Sequence, residues 1–375
     1  GTNGIVLSNT GTSGGLTVTG TGTPGSGGTI QSSSSDGILL NSTEKLSLTR
    51  MNVTNNLGAG IRGNTVNGFV LNNCSITNNG DQVTPDESGV ELVGLTGTAI
   101  GGARPTAIDN TTISNNFEFE LQVTNTSGTL TDLQINNSTV SSNGATGAHG
   151  NLVNFLAQGT ANMTLNVVGG AFTGNAPTTA TAIQADASGG TVTANVSGAT
   201  FTNNNVAVSV SAALTGSLTF DVHDNPSITG NRSHALNLFI AANTSGAISG
   251  KFRNNTIGTL GVVGSASQLG FGVRVQNEGI ALAKVLISGN TIQELQNFAA
   301  INVNHGIFGS PLTLATNVTI TNNVIRNVNN SRAIIVQQNV GAGTVCADIS
   351  GNDMSGVAGN AGDGSKIRLR HLAGG

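Results

Sequence analysis

The chain has 375 residues, of which 37% are hydrophobic and only 9% are charged, and its formal net charge is −4. The low net charge and the short apolar alternations along the whole chain argue against intrinsic disorder. The few basic side chains are scattered, which excludes the basic footprint of a nucleic-acid-binding protein. No apolar run reaches the ~18 residues that a membrane-spanning helix requires, so we expect no membrane span in this segment.

The chain opens with short alternating segments that are separated by glycine-rich turns, a pattern typical of β-strands. Residues 4–9 and 16–19 are the first two predicted strands, and residues 37–48 hold two more. Similar segments continue as far as residues 367–369. No stretch of ten or more residues has the spacing of an amphipathic helix. The sequence therefore predicts an all-β protein.

A four-residue phrase recurs along this series of strands. It consists of an apolar residue, then Ser or Thr, then any residue, then Asn, and one copy, residues 252–255, has Arg in second place. The eleven copies end at Asn56, Asn79, Asn116, Asn143, Asn175, Asn204, Asn231, Asn255, Asn290, Asn323 and Asn352. Successive copies lie 23 to 37 residues apart, and a fixed period of about 20–50 residues is the signature of a repeat architecture.

Each phrase is typical of a strand that ends in a turn, because Asn and Gly tolerate the left-handed backbone region. If one period is one coil, the Asn side chains stack at ~4.8 Å and form one ladder of amides. The apolar residues stack inside the coils, since a single coil cannot bury its own inner face. Parallel crossovers favour right-handed winding. We therefore predict a right-handed parallel β-helix (β-solenoid) with about three short strands per coil and roughly 12 coils.

We expect a single β-helix domain over residues 1–375, with projecting loops near 80–105 and 258–270. The first of these loops carries several acidic residues, namely Asp81, Asp86, Glu87 and Glu91. Their carboxylates could gather Ca²⁺, and the alternative is a solvated acidic loop. No other cofactor is expected.

One polar cluster lies within a predicted strand and the turn that follows it. Asp221 and His223 are expected on one face of the strand, with Asp224 at the turn. A carboxylate–histidine pair could bind a metal or serve as acid and base. The alternative is the outward polar face of an ordinary strand.

The sequence lacks the usual signals of a polysaccharide-processing enzyme. Glycoside hydrolysis requires two carboxylates ~5–10 Å apart, yet the chain contains no Asp-Asp pair. Trp and Tyr, the commonest platforms for sugar rings, are absent. We therefore assign no catalytic residues and expect that the protein is not an enzyme.

On the basis of its eleven Asn phrases, the chain resembles the right-handed parallel β-helix superfamily, which has the pectin-lyase-like fold. More narrowly, it resembles the Gly/Asn/Thr-rich repeat regions of large bacterial surface and secreted proteins. The resemblance covers residues 4–369 and implies an extracellular or cell-surface location. For function it is unspecific, because this fold carries enzymes, adhesins, tailspikes and passive stalks alike.

Two function classes remain after these exclusions. The first is a structural or adhesive segment that acts as a stiff stalk or a filament-forming surface protein. The second is a polysaccharide-binding or polysaccharide-degrading protein, of the lyase, hydrolase or tailspike kind.

Neither terminus offers a polar cap, so neighbouring copies or further repeats are expected to pair with the open solenoid ends. Residues 1–187 carry a net charge of −7 and residues 188–375 one of +3. A rod with this charge difference could pair head to tail, and the alternative is a plain drift in composition. Surface polysaccharide is the other expected partner.

Overall fold

Each turn of the chain contributes three short strands, and the strands of successive turns pair in parallel ladders. The computed structural model describes residues 1–81, 87–97, 105–142, 150–174, 180–306, 315–339, 343–357 and 365–372. They form a parallel β-solenoid of about 11 turns with two parallel sheets, and none of them is helical. The predicted all-β solenoid with three strands per coil is therefore confirmed, with a number of turns close to the expected one.

Packing divides the chain into two compact units, Gly1–Ile183 and Gln184–Gly375. The single domain expected from the sequence stays a prediction, and each unit is described by itself. The strands of the first unit are β1 (Ile5–Thr10), β2 (Thr17–Val18), β3 (Gly28–Gln31), β4 (Ile38–Thr49), β5 (Met51–Thr54), β6 (Ile61–Asn72), β7 (Ser75–Thr77), β8 (Val90–Val93), β9 (Thr106–Asp109), β10 (Thr112–Ser114), β11 (Leu121–Asn125), β12 (Thr129–Asn136), β13 (Thr139–Ser141), β14 (Val153–Gln158), β15 (Asn162–Val168) and β16 (Ala171–Thr173). Strand β17 (Thr181–Ser188) contains the boundary between the units.

The strands of the first unit fall into three ladders. The first ladder consists of β1, β4, β6, β8, β11 and β14. The second consists of β2, β4, β6, β9, β12 and β15, because β4 and β6 are long enough to serve both ladders. The third consists of β3, β5, β7, β10, β13 and β16. Every pairing is parallel, so equivalent residues of successive turns lie side by side.

The core of the first unit is made of inward-facing apolar columns. In the third ladder the apolar residue of each phrase pairs with that of the next turn. These residues, all 0% exposed, are Val53, Ile76, Ile113, Val140 and Phe172. Full burial of such a side chain stabilises a fold by about 1.5–3 kcal/mol. The stacked phrases therefore hold the turns together as well as ending the strands.

The second unit repeats this plan without strands as long as β4 and β6. Its strands are β18 (Thr191–Ser197), β19 (Thr200–Thr202), β20 (Val206–Ala213), β21 (Ser217–His223), β22 (Ser227–Thr229), β23 (Leu236–Ile240), β24 (Ile248–Arg253), β25 (Thr256–Ile257), β26 (Val273–Asn277), β27 (Ala283–Ser288), β28 (Thr291–Leu295), β29 (Ile301–His305), β30 (Ala315–Thr321), β31 (Val324–Val328), β32 (Ile334–Gln338), β33 (Thr344–Ser350), β34 (Asp353–Gly356) and β35 (Ile367–His371).

Three parallel ladders again organise the second unit. The first consists of β20, β23, β26, β29, β32 and β35. The second consists of β18, β21, β24, β27, β30 and β33. The third consists of β19, β22, β25, β28, β31 and β34. Its inward column, all 0% exposed, is Phe201, Ile228, Ile257, Ile292 and Ile325.

The two predicted projecting loops have different outcomes. The segment 80–105 is not a loop throughout, because β8 lies within it and pairs with β6 and β11. The sequence analysis missed β8 because acidic and proline residues surround it, whereas its own residues are apolar or buried. Residues 82–86 and 98–104 of this segment lie outside the described residues. Residues 258–270 form a succession of turns and bends, with Leu260, Val262, Val263 and Leu269 each more than half exposed.

Candidate functional site

In the first unit, three phrase-ending Asn residues stack into a buried column. Asn56 Nδ2 donates to Asn79 Oδ1 at 2.8 Å, and Asn79 Nδ2 donates to Asn116 Oδ1 at the same distance. The backbone N–H groups of Asn56 and Asn79 donate to the same oxygens. All three side chains are at most 2% exposed. The column therefore provides hydrogen-bond acceptors for backbone N–H groups of the turns as well as for the side-chain amides. Buried polar groups require such partners.

The column of the first unit ends on a carboxyl group. Asn116 Nδ2 donates to Glu120 Oε2 at 2.6 Å, and Glu120 is 2% exposed. Burial raises the pKa of Glu120 to about 8, and the hydrogen bonds from Asn116 oppose that rise only in part. Glu120 is therefore mostly protonated at neutral pH. The sequence analysis did not single out this residue.

The second unit contains a separate Asn column at a different corner of the coil. Here Nδ2 of each residue donates to Oδ1 of the next over 2.8–3.0 Å, through Asn255, Asn290, Asn323 and Asn352. These residues follow strands of the second ladder, whereas the column of the first unit follows the third ladder. Asn225 donates to Asn255 Oδ1 at 2.8 Å and begins this column. It departs from the phrase because His223 stands where the phrase has Ser or Thr, so it was not predicted from the sequence.

The expected single ladder of eleven Asn residues is therefore wrong. Asn204 and Asn231 are buried in the second unit and follow β19 and β22 of the third ladder, so they do not lie at the corner of the column that begins at Asn225. Asn143 and Asn175 lie outside the described residues. The reason is conformational: the residue before each column Asn has a positive φ, for example 52° at Asn55 and 55° at Asn254. Both corners of the coil require a residue in the left-handed conformation before the buried Asn, so the same sequence phrase occurs at both corners.

Among the described residues, the acidic side chains proposed for calcium make separate contacts. Glu91 is paired with Arg62 at 2.8 Å, and Arg62 also pairs with Asp36 at 3.2 Å. Glu87 accepts a hydrogen bond from the backbone N–H of Asp81 at 2.8 Å. Asp86 lies outside the described residues. Within the described ranges, no three His, Cys, Asp or Glu side chains are grouped so that they could hold a metal ion.

The polar cluster of β21 is held by a residue from the next turn. Arg253 Nε and Nη2 donate to the two carboxylate oxygens of Asp221 at 2.9 and 3.0 Å. His223 Nδ1 lies 2.7 Å from Asp224 Oδ2, and this contact lowers the pKa of Asp224. Asp221 and His223 share the outward face, as expected, but Asp221 is bonded to Arg253. Arg253 lies 32 residues away, so no local pattern reveals this ion pair.

A trough runs along the outward face of the second ladder in the second unit. It has a volume of about 570 Å³. A neighbouring hollow of about 280 Å³ shares Asn317 and Thr319 with it and extends it to Asp348. Polar side chains from five successive turns line the trough, among them Asn195, Asp221, Ser249, Lys251, Lys284 and Asn317. Sequence analysis missed this surface, because it depends on the register between turns.

The geometry defines a parallel β-solenoid with buried amide columns at its corners and a polar trough on one face. A family model described as a right-handed β-helix region matches residues 3–206, which is more than half of the chain. The chain therefore belongs to this family, and the right-handed winding expected from the sequence is confirmed. No curated protein and no solved structure matches the chain. None of the described residues lies in a helix that could span a lipid bilayer.

Proposed function

We propose that the chain is a structural and adhesive segment of an extracellular, bacterial surface protein, without catalytic activity. The observation that carries this proposal is the pair of amide columns, each closed by four or more buried hydrogen bonds within its unit. Buried, fully connected networks of this kind rigidify a fold. A rigid stem, that is, a stiff stalk, suits a protein that holds its adhesive surfaces at a distance from the cell.

We propose further that neighbouring copies, or further repeats, pair with the outermost turns. In the second unit, Leu369 of β35 is 68% exposed, whereas its ladder partner Val336 is 5% exposed. In the first unit, Ile5 of β1 is half-buried, whereas its partner Ile38 is fully buried. Among the described residues, both of these outermost strands are therefore less covered than the strands they pair with, and a strand edge is a template for further pairing.

Electron microscopy of the purified chain, diluted from high to low concentration, tests this pairing. We expect filaments that shorten on dilution, because edge pairing between identical copies is a concentration-dependent equilibrium. Isolated particles at every concentration would contradict the pairing between copies. The proposal of a rigid stem would then rest on further repeats of the same chain.

Polysaccharide processing is the second candidate function, and the trough is the observation that favours it. An acidic side chain, Asp221, lies in the trough beside the basic Lys251. Against catalysis, the bidentate ion pair with Arg253 holds the Asp221 carboxylate as a charged acceptor. We expect no release of reducing ends or unsaturated products from neutral or acidic polysaccharides. Measurable turnover that Asp221→Asn abolishes would establish the enzymatic alternative.

A further inference from the structure

We propose that the trough of the second unit binds a sulfated glycan chain. This inference rests on the adhesive part of the proposed function and names its ligand class. Three features carry it: the trough's length along the stack, two unpaired ammonium groups, and a floor of Leu286 and the Gly250 backbone between hydroxyl and amide side chains.

The shape of the trough fits an extended chain. Its lining comes from β18, β21, β24, β27 and β30, which are successive strands of one parallel ladder. Adjacent strands lie ~4.8 Å apart, so five strands span about 19 Å along the stack. The adjoining hollow adds a sixth strand, β33. A compact small molecule would leave most of this length empty.

The charge of the trough favours an anion. The Asp221 carboxylate is already neutralised by Arg253. Lys251 and Lys284 are exposed, and neither makes an ion pair or a hydrogen bond with another residue in the part of the chain that the structure describes. Lys284 pairs in register with Ser249, two residues before Lys251. The two ammonium groups therefore lie diagonally on neighbouring turns, and two positive charges are available to a ligand.

The type of basic residue favours an ester sulfate over a carboxylate. The planar guanidinium group matches a carboxylate in a bidentate pair, and Arg253, which is bonded to Asp221 of the trough, already holds this carboxylate in that way. Lysine binds as a point charge with three rotatable donors. A sulfate ester is tetrahedral and carries one negative charge. It can accept hydrogen bonds from an ammonium group without the two groups having to lie in one plane.

The floor of the trough suits a sugar ring. Gly250 forms part of the floor, and a Cβ there would collide with the ring of Phe220. Gly250 thus makes room for the Phe220 ring in the core, and Phe220 and Val285 lie beneath the floor, 1% and 4% exposed. The floor itself is formed by the Gly250 backbone and by Leu286, which is half-buried and lines the trough. Thr219 and Ser249 stand beside it with exposed hydroxyl groups. A sugar ring offers both C–H faces for the floor and hydroxyl groups for these side chains.

Binding of dextran sulfate to the full chain tests the inference, with unmodified dextran, polygalacturonate and polyphosphate of similar length as comparisons. We expect dextran sulfate to bind at least about tenfold more tightly than each comparison polymer. Removing both ammonium groups in Lys251→Ala/Lys284→Ala should weaken dextran sulfate binding by about tenfold or more. The control Arg368→Ala/Arg370→Ala removes the same charge from β35 of the same unit and should leave binding unchanged. Lys251→Gln/Lys284→Gln provides a second variant if the first one unfolds.

Each other outcome overturns the inference. Equal weakening by both double variants would show unspecific attraction to net charge. Tighter binding of polygalacturonate or polyphosphate would assign the trough to carboxylates or to phosphate chains. If no polymer binds while filaments still form, this inference fails and the proposed stem stands.

Discussion

Replacing Asn290 by Ala is expected to lower the free energy of unfolding by about 3–5 kcal/mol. Asn290 is 0% exposed, and its Oδ1 accepts hydrogen bonds from both the backbone N–H and Nδ2 of Asn255 at 3.0 Å. Its Nδ2 donates to the Phe252 carbonyl oxygen at 2.9 Å and to Asn323 Oδ1 at 3.0 Å. Alanine would leave two buried donors of Asn255 without an acceptor, and each such group costs about 1–3 kcal/mol.

The matched control for this experiment is Asn297→Ala. Asn297 lies in the same unit, is exposed and has an ordinary backbone conformation, so its loss should change stability by less than about 0.5 kcal/mol. Denaturant unfolding followed by circular dichroism measures both variants against the parent. Equal stabilities of the two variants would mean that the amide column of the second unit contributes little to the fold.

The same column shows what the sequence can and cannot predict. The recurring phrase predicts the solenoid because its successive residues indicate a strand, then a left-handed turn residue, then a buried amide. The third position of the described phrases is Asn or Gly, and these residues have positive φ, for example 56° at Asn78 and 65° at Gly289. That local requirement is the same at every corner. Which corner a given phrase closes depends on the strands between phrases, so one ladder was expected where two columns exist.

The trough and the ion pairs depend on contacts between turns. Arg253 meets Asp221 because β21 and β24 pair with His223 opposite Arg253. A change of one residue in the connecting segment would place a different side chain there. The loop lengths that fix this register vary along the chain, so sequence spacing alone does not predict it. Glu120 was missed for a different reason: it lies only four residues after Asn116, but nothing in the phrase indicates that a carboxyl group closes the column.

Glu120 should give the protein a stability that falls as the pH rises. The unfolded carboxyl group releases its proton near its ordinary pKa of 4.5, whereas in the folded chain burial raises that pKa to about 8. Between these two values the folded state binds more protons than the unfolded state, so the free energy of unfolding decreases with increasing pH. The stabilisation is fully present below about pH 4.5 and is lost as the pH passes through about 8. At about 1.4 kcal/mol per pKa unit, the loss reaches about 5 kcal/mol.

Glu120→Gln isolates this contribution, because a neutral amide replaces the protonated acid and can still accept from Asn116. We expect the variant to match the parent near pH 5 and to exceed its stability by up to about 5 kcal/mol near pH 9. The pKa of Asp186 is also raised by burial and that of His234 is lowered to about 4, but both groups are common to parent and variant and cancel in the difference.

The control Glu118→Gln removes a half-buried carboxylate two residues away and should keep the parent's pH dependence. Parallel stability curves for the parent and Glu120→Gln would show that Glu120 is ionised in the fold, and that the amide column of the first unit ends on a charge.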